Sequence, residues 1–138
     1  MVARCVIVEG EGLGEPERGL LYTDETVFHL TVGSDYLVMG MALFQTGLIV
    51  LVRDDTGRPN WYPIGLFYLV DQTIPADWEF AITDAKSASG VGPAEGVAAQ
   101  WGYRELIQTP SHHEELIERV PSALKIFEAE FARQIVRD

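Results

Sequence analysis

The side chains of this protein best able to do chemistry are one cysteine, three histidines and an adjacent pair of aspartates. Cys5 could act as a thiolate nucleophile, but only with a positioned base. It stands inside the apolar run Val2–Val8, and a small buried hydrophobe is the expected role. Asp54 and Asp55 precede Gly57 in the stretch Asp-Asp-Thr-Gly-Arg-Pro-Asn. Paired carboxylates suit calcium or acid–base work, but calcium needs further oxygen ligands at set spacing, and this stretch does not supply them. A hairpin tip is expected there. His112 and His113 are neighbours; on a helix they would point about 100° apart, which is poor geometry for joint chelation. The spacing predicts a solvated first helical turn. Gly10, Gly12 and Gly14 alternate with Glu9, Glu11 and Glu15, which would repel a phosphate. Gly90, Gly92 and Gly96 lack the dinucleotide spacing and a preceding apolar strand. Neither Gly-x-Ser-x-Gly nor His-Glu-x-x-His occurs in the sequence. No catalytic residue, metal ligand or cofactor is expected. The stretch most suggestive of recognition is Trp61-Tyr62-Pro63, since aromatic rings dominate binding hot spots. Strand neighbours alternate faces, so part of that stretch must be core.

The 138 residues match one domain, with 47% apolar residues, enough for a core. Net charge is -11, which disfavours nucleic acid and anionic membranes and could steer a basic protein partner. The opening MVARCVIVEGEG does not read as a signal peptide. Tyr36–Val52 is too interrupted for a membrane span, so a cytoplasmic location is the expectation.

Positioning falls to a strand-rich part, 1–83, a small-residue loop, 84–100, and a helical part, 111–137. VARCVIV reads as a strand, Glu9–Gly19 as a loop, and Tyr22–Leu30 shows partial alternation. A turn at Thr31–Asp35 leads into Tyr36–Phe44, which forms a hairpin with Leu48–Val52 through Gln45-Thr46-Gly47. Trp61–Val70 reads as a bent strand or a pair, and Trp78–Thr83 as another strand. Gly102–Leu106 reads as a short strand or turn. Ser111 and Glu114 have capping-box spacing. Leu116, Val120, Leu124, Phe127, Phe131 and Ile135 form a helical stripe, broken at Pro121 into helices near 112–119 and 121–136. The expected fold is mainly β (α+β): five or six antiparallel strands in a small barrel or sandwich, with one or two C-terminal helices.

The order Leu30-Thr31-Val32-Gly33-Ser34-Asp35-Tyr36, Val38-Met39-Gly40-Met41, Leu51-Val52-Arg53-Asp54-Asp55, Trp61-Tyr62-Pro63 and Leu66–Asp71, then Trp78, resembles a group of small bacterial proteins, some of them similar to toxin-immunity proteins. The same stretch, about residues 28–80, resembles an SH3-like barrel. The resemblance implies a small SH3-like barrel or curled sheet with a binding role, and carries no catalytic residues.

Three functions compete on this reading. The first is a non-enzymatic, immunity-like module that binds a basic protein through Trp61, Tyr62, Asp54 and Asp55. The second is a small enzyme or ligand-binding barrel drawing on Cys5, His29, Asp54 and Asp55. The third is an oligomer that buries its helix face against a second copy; the sequence leaves the oligomeric state open.

Overall fold

The computed structural model describes residues 1–8, 28–44, 47–82, 98–109 and 111–137. The loop expected at Glu9–Gly19, both glycine clusters, Gln45 and Thr46, the first part of Tyr22–Leu30 and nearly all of the 84–100 loop lie outside the described residues. The strands are β1 (Val2–Cys5), β2 (Asp35–Phe44), β3 (Gly47–Arg53), β4 (Pro59–Pro63), β5 (Phe67–Asp71), β6 (Glu79–Ile82) and β7 (Ala99–Gly102). The helices are α1 (Arg104–Gln108), α2 (His112–Ile117) and α3 (Pro121–Arg137). A 3-10 turn, Ile64–Leu66, joins β4 to β5, at the place where Pro63 and Gly65 imply a break in the strand.

The fold is mainly antiparallel sheet with helices, as the patterning implied. The sheet runs β4-β3-β2-β1-β5, with β7 on β2 and β6 on β7. Among the described residues it does not close, so the expected closed barrel is not formed there. One strand organises it. Along one edge β2 pairs with β3; along the other its first residues pair with β1 and its later ones, Gly40–Leu43, with β7. A bulge between Val38 and Gly40 separates the two halves. A bulge bends a strand and increases its twist, which is how one strand can serve two diverging neighbours.

That bulge also sorts side chains. Val38 and Met41 join a core with Ala3, Cys5, Tyr36, Val50, Val52, Tyr62 and Leu66 on one side of the sheet, the first core. Met39 joins Leu51 on the opposite side, where the helices pack through Tyr103, Leu106, Leu116, Ala123 and Phe127. Gly40 and Gly102 are register partners under α1. A Cβ on either would lie 2.6 Å from Leu106 Cδ2, so their bare backbones form the seat for Leu106.

Four expectations are corrected. Ala99–Gly102 is a strand, not the end of a loop; only four residues long, it shows no period of its own, and it is held by two partners, β2 and β6. Residues after Gly102 form the helix α1, not a strand or turn. Ser111 is itself helical in backbone and makes no side-chain cap, so the capping box does not form. Ile135 is 53% exposed while Gln134 is buried. At about 100° per residue, position 134 lies nearly in line with Phe127, and position 135 has drifted well off it.

Among the described residues no helix is long and apolar enough to cross a membrane.

Candidate functional site

The β3–β4 hairpin builds the site. Its tip is a turn with Gly57 N–H donating to Asp54 O at 2.9 Å and Asp54 N–H to Arg58 O at 3.0 Å. Gly57 sits at φ 78, a left-handed position that glycine takes without steric cost.

Asp54 is buried and forms the hub of that tip. Its Oδ1 accepts from Thr56 N–H at 2.9 Å and from the Thr56 hydroxyl at 2.5 Å. Its Oδ2 accepts from Asn60 Nδ2 at 2.6 Å and from the Tyr62 hydroxyl at 2.5 Å. Burial alone would raise this carboxyl, but the bonds from Thr56, Tyr62 and Asn60 outweigh it and hold it below the usual range. Asp55 turns the other way. It accepts from the Tyr36 hydroxyl at 2.7 Å and the Thr31 hydroxyl at 2.6 Å, and its N–H donates to His29 O at 3.0 Å. The adjacent aspartates thus fasten the hairpin, one to β4 and one to the segment 29–36. Asp54 is not displayed as a surface contact, and Asp55, though exposed, already accepts on both oxygens.

Trp61 and Tyr62 point to opposite sides of β4, as strand alternation requires. Tyr62 is buried in the first core. Trp61 is half-buried against the helices, and its ring stacks on His113 at 4.8 Å. Its indole Nε1 is buried without a hydrogen-bond partner among the described residues. Both rings nevertheless line one pocket, with Phe28, His29, Thr56, Arg58, Asn60 and Arg119. The pocket has a volume of about 370 Å³, at the small end of ligand sites. It can draw on both sides of β4 because, among the described residues, that strand pairs only with β3.

Arg119 was not anticipated. It follows α2 at φ 63, where a helix end ordinarily uses glycine. Val120 N–H donates to Glu115 O at 3.0 Å and Arg119 N–H to Leu116 O at 3.2 Å, a Schellman closure. The guanidinium then reaches β4, donating to Pro59 O and, at 2.6 Å, to Asn60 Oδ1. It covers the open strand edge and ties α2 to the hairpin. The only sequence signal was a helix end without glycine, Glu118-Arg119-Val120-Pro121. Arg58 is exposed, and among the described residues no carboxylate pairs with it.

The expected solvated turn at His112 and His113 is overturned. His112 is 1% exposed, and the Tyr103 hydroxyl lies 2.6 Å from its Nε2. His113 sits between Trp61 and Gln100, whose Nε2 donates to Nδ1 at 3.3 Å. Burial holds both imidazoles below the ordinary value, against the opposing pull of Glu105 and Glu115 on His112 and of Glu114 on His113. Tyr103 is pushed far up by burial, then by Glu130 and Glu105, so its hydroxyl stays protonated. The linkage has a definite sign. The unfolded chain takes up protons near pH 6.5 and the native rings resist them, so this stabilisation is present above about pH 6.5 and is lost as pH falls through the lower native values. Unfolding in urea between pH 7.5 and 5 is expected to show a loss of up to ~1.4 kcal/mol per pH unit for each ring. A flat profile would mean that the rings are not held neutral.

Cys5 is buried, its thiol 3.3 Å from Ile7 O, and burial pushes it up, the opposite of an activated nucleophile. His29 lies at the pocket with Asp55 tied to its backbone, whereas Cys5 is in the first core. Among the described residues no three His, Cys, Asp or Glu side chains converge as a metal site. Comparison with protein-family models, with curated proteins and with solved structures returns no match for this protein.

Proposed function

We propose that this protein is a non-enzymatic binding module for a protein partner, acting as immunity proteins do by occupying a surface of its target. The observation that carries it is the pocket around the edge of β4, where aromatic walls and two guanidiniums meet on a hairpin fastened at both ends. Sites built on braced strands and a helix end hold their geometry better than free loops. Trp61 supplies the kind of ring that anchors protein contacts, and arginine is the charged residue most enriched beside it. The rest of the surface, in a protein of net charge -11, favours rapid encounter with a basic protein.

The test is capture from the native lysate, using wild-type and Trp61→Leu baits of verified fold, with elution by salt. The expected result is a basic protein held by the wild type, released at moderate salt and lost with Trp61→Leu. Binding that ignores both the substitution and the salt would sink the reading.

A further inference from the structure

Among the described residues, the charge that lines the pocket is opposite in sign to the charge of the whole protein. There are 21 acidic and 10 basic residues in all, yet the described part of the pocket wall carries Arg58 and Arg119 and no carboxylate. Arg119 cannot leave: its bonds to Pro59 O and Asn60 Oδ1 fix the guanidinium plane, and N–H groups remain over. Arg58 has no such constraint, being exposed and without an ion pair among the described residues. Phe28, Trp61 and Tyr62 supply apolar and aromatic surface beside these cations.

We infer that the pocket takes a single carboxylate joined directly to a bulky apolar group, the chemistry of a polypeptide C-terminus whose last residue is aromatic or large and aliphatic. This rests on the reading of the protein as a protein-binding module and specifies what the module grips. The guanidinium fork matches a planar carboxylate in a way that a point charge does not. The rings then cover the side chain next to it. An internal aspartate or glutamate would offer the charge without that ring-sized neighbour. A phosphate would bring a second negative charge and nothing apolar. Asp54 disfavours that second charge, because it lies directly behind two of the lining residues, Asn60 and Tyr62, and its carboxyl is held in the ionised form. The assignment also reconciles the two charge scales. A basic protein steered in by the acidic surface can still present a negative terminus to a positive hollow.

The experiment is a titration followed by amide and indole NMR resonances, with the Trp61 indole assigned from Trp61→Leu. The probes are N-acetyl-phenylalanine, its C-terminal amide, inorganic phosphate, and a hexapeptide ending in phenylalanine as acid and as amide. The expected result is that both acids shift the Trp61 indole and residues around His29, and that each amide binds about tenfold more weakly. Arg58→Ala, at an exposed turn position, should remove that difference while leaving the spectrum folded. Equal binding of acid and amide, saturation by phosphate at lower concentration than by N-acetyl-phenylalanine, or no shift with any probe would each overturn the assignment. Binding of the free amino-acid derivative but not of the hexapeptide acid would support the carboxylate assignment and defeat the protein-partner reading, since the hollow would then admit only a small molecule.

Discussion

Phe127→Ala is expected to destabilise the protein by about 4 kcal/mol and to lower Tm by roughly 15 °C. The ring is fully buried, and it joins α3 to Tyr103 at 6.4 Å and to Phe131 at 6.2 Å between centroids. Around it lie Met39, Leu51, Leu106, Leu116 and Ala123, contributed by β2, β3 and all three helices. Removing it empties a site that those backbones cannot collapse into, because the glycine seat already brings Leu106 as close to the sheet as it can come. Phe131→Ala is the internal comparison. That ring is only half-buried, with Arg53 over its face at 5.1 Å, and its loss should cost clearly less. Equal losses would mean that α3 does not close the second core as a rigid lid. Thermal or urea unfolding of the two variants decides it.

Asp54→Ala is expected to cost about 3 kcal/mol, and to do so without creating a large cavity. The cost comes from donors left without an acceptor: the Thr56 N–H and hydroxyl, Asn60 Nδ2 and the Tyr62 hydroxyl. Asn60 also holds Arg119, so the loss should spread to the end of α2. Tyr62→Phe, which removes one partner of the network, should cost about 1 kcal/mol. Asp54 is held below the usual range in the native state, so its contribution is present above about pH 4 and is lost as pH falls through the native value. Asp54→Ala should therefore flatten the acid limb of the stability profile as well as lower the plateau. A variant with unchanged stability at pH 7 would mean that the hub is satisfied by water instead.

The legible parts of the sequence were those with strong local patterns. Apolar runs placed β1, β2, β3 and β6 and left β4 and β5 open as one bent strand or a pair, turn formers placed the hairpin tip, and the 3.6-residue stripe with Pro121 placed α2 and α3. What escaped depends on contacts distant in sequence. Ala99–Gly102 is too short to show a strand pattern of its own and is held by pairing on both sides, with β2 and β6. His112 and His113 read as polar and exposed, and only the packing of α2 on Trp61 and Tyr103 explains their burial. For the site, Trp61 and Tyr62 were found because aromatic residues announce themselves by type. Arg58 and Arg119 were not found, being far apart in sequence and joined only through the edge of β4. Asp54 and Asp55 read as an exposed acidic tip; Asp54 is instead buried among Thr56, Asn60 and Tyr62, whereas Asp55 stays exposed while accepting from Thr31 and Tyr36.

The double duty of β2 has a consequence for how the protein is made. β1 precedes both its neighbours, β2 and β5, in the chain, so its second edge waits for Phe67–Asp71 to be synthesised. The later half of β2 waits longer still, for Ala99–Gly102. Such distant pairings make folding slow compared with helical bundles, and they leave strand edges open on the nascent polypeptide. Cys5 lies in that first strand. Its thiol, silent once Phe67 is paired across from it, is an ordinary accessible thiol for the whole interval before. Protection of the cysteine thus waits on a segment made well after it.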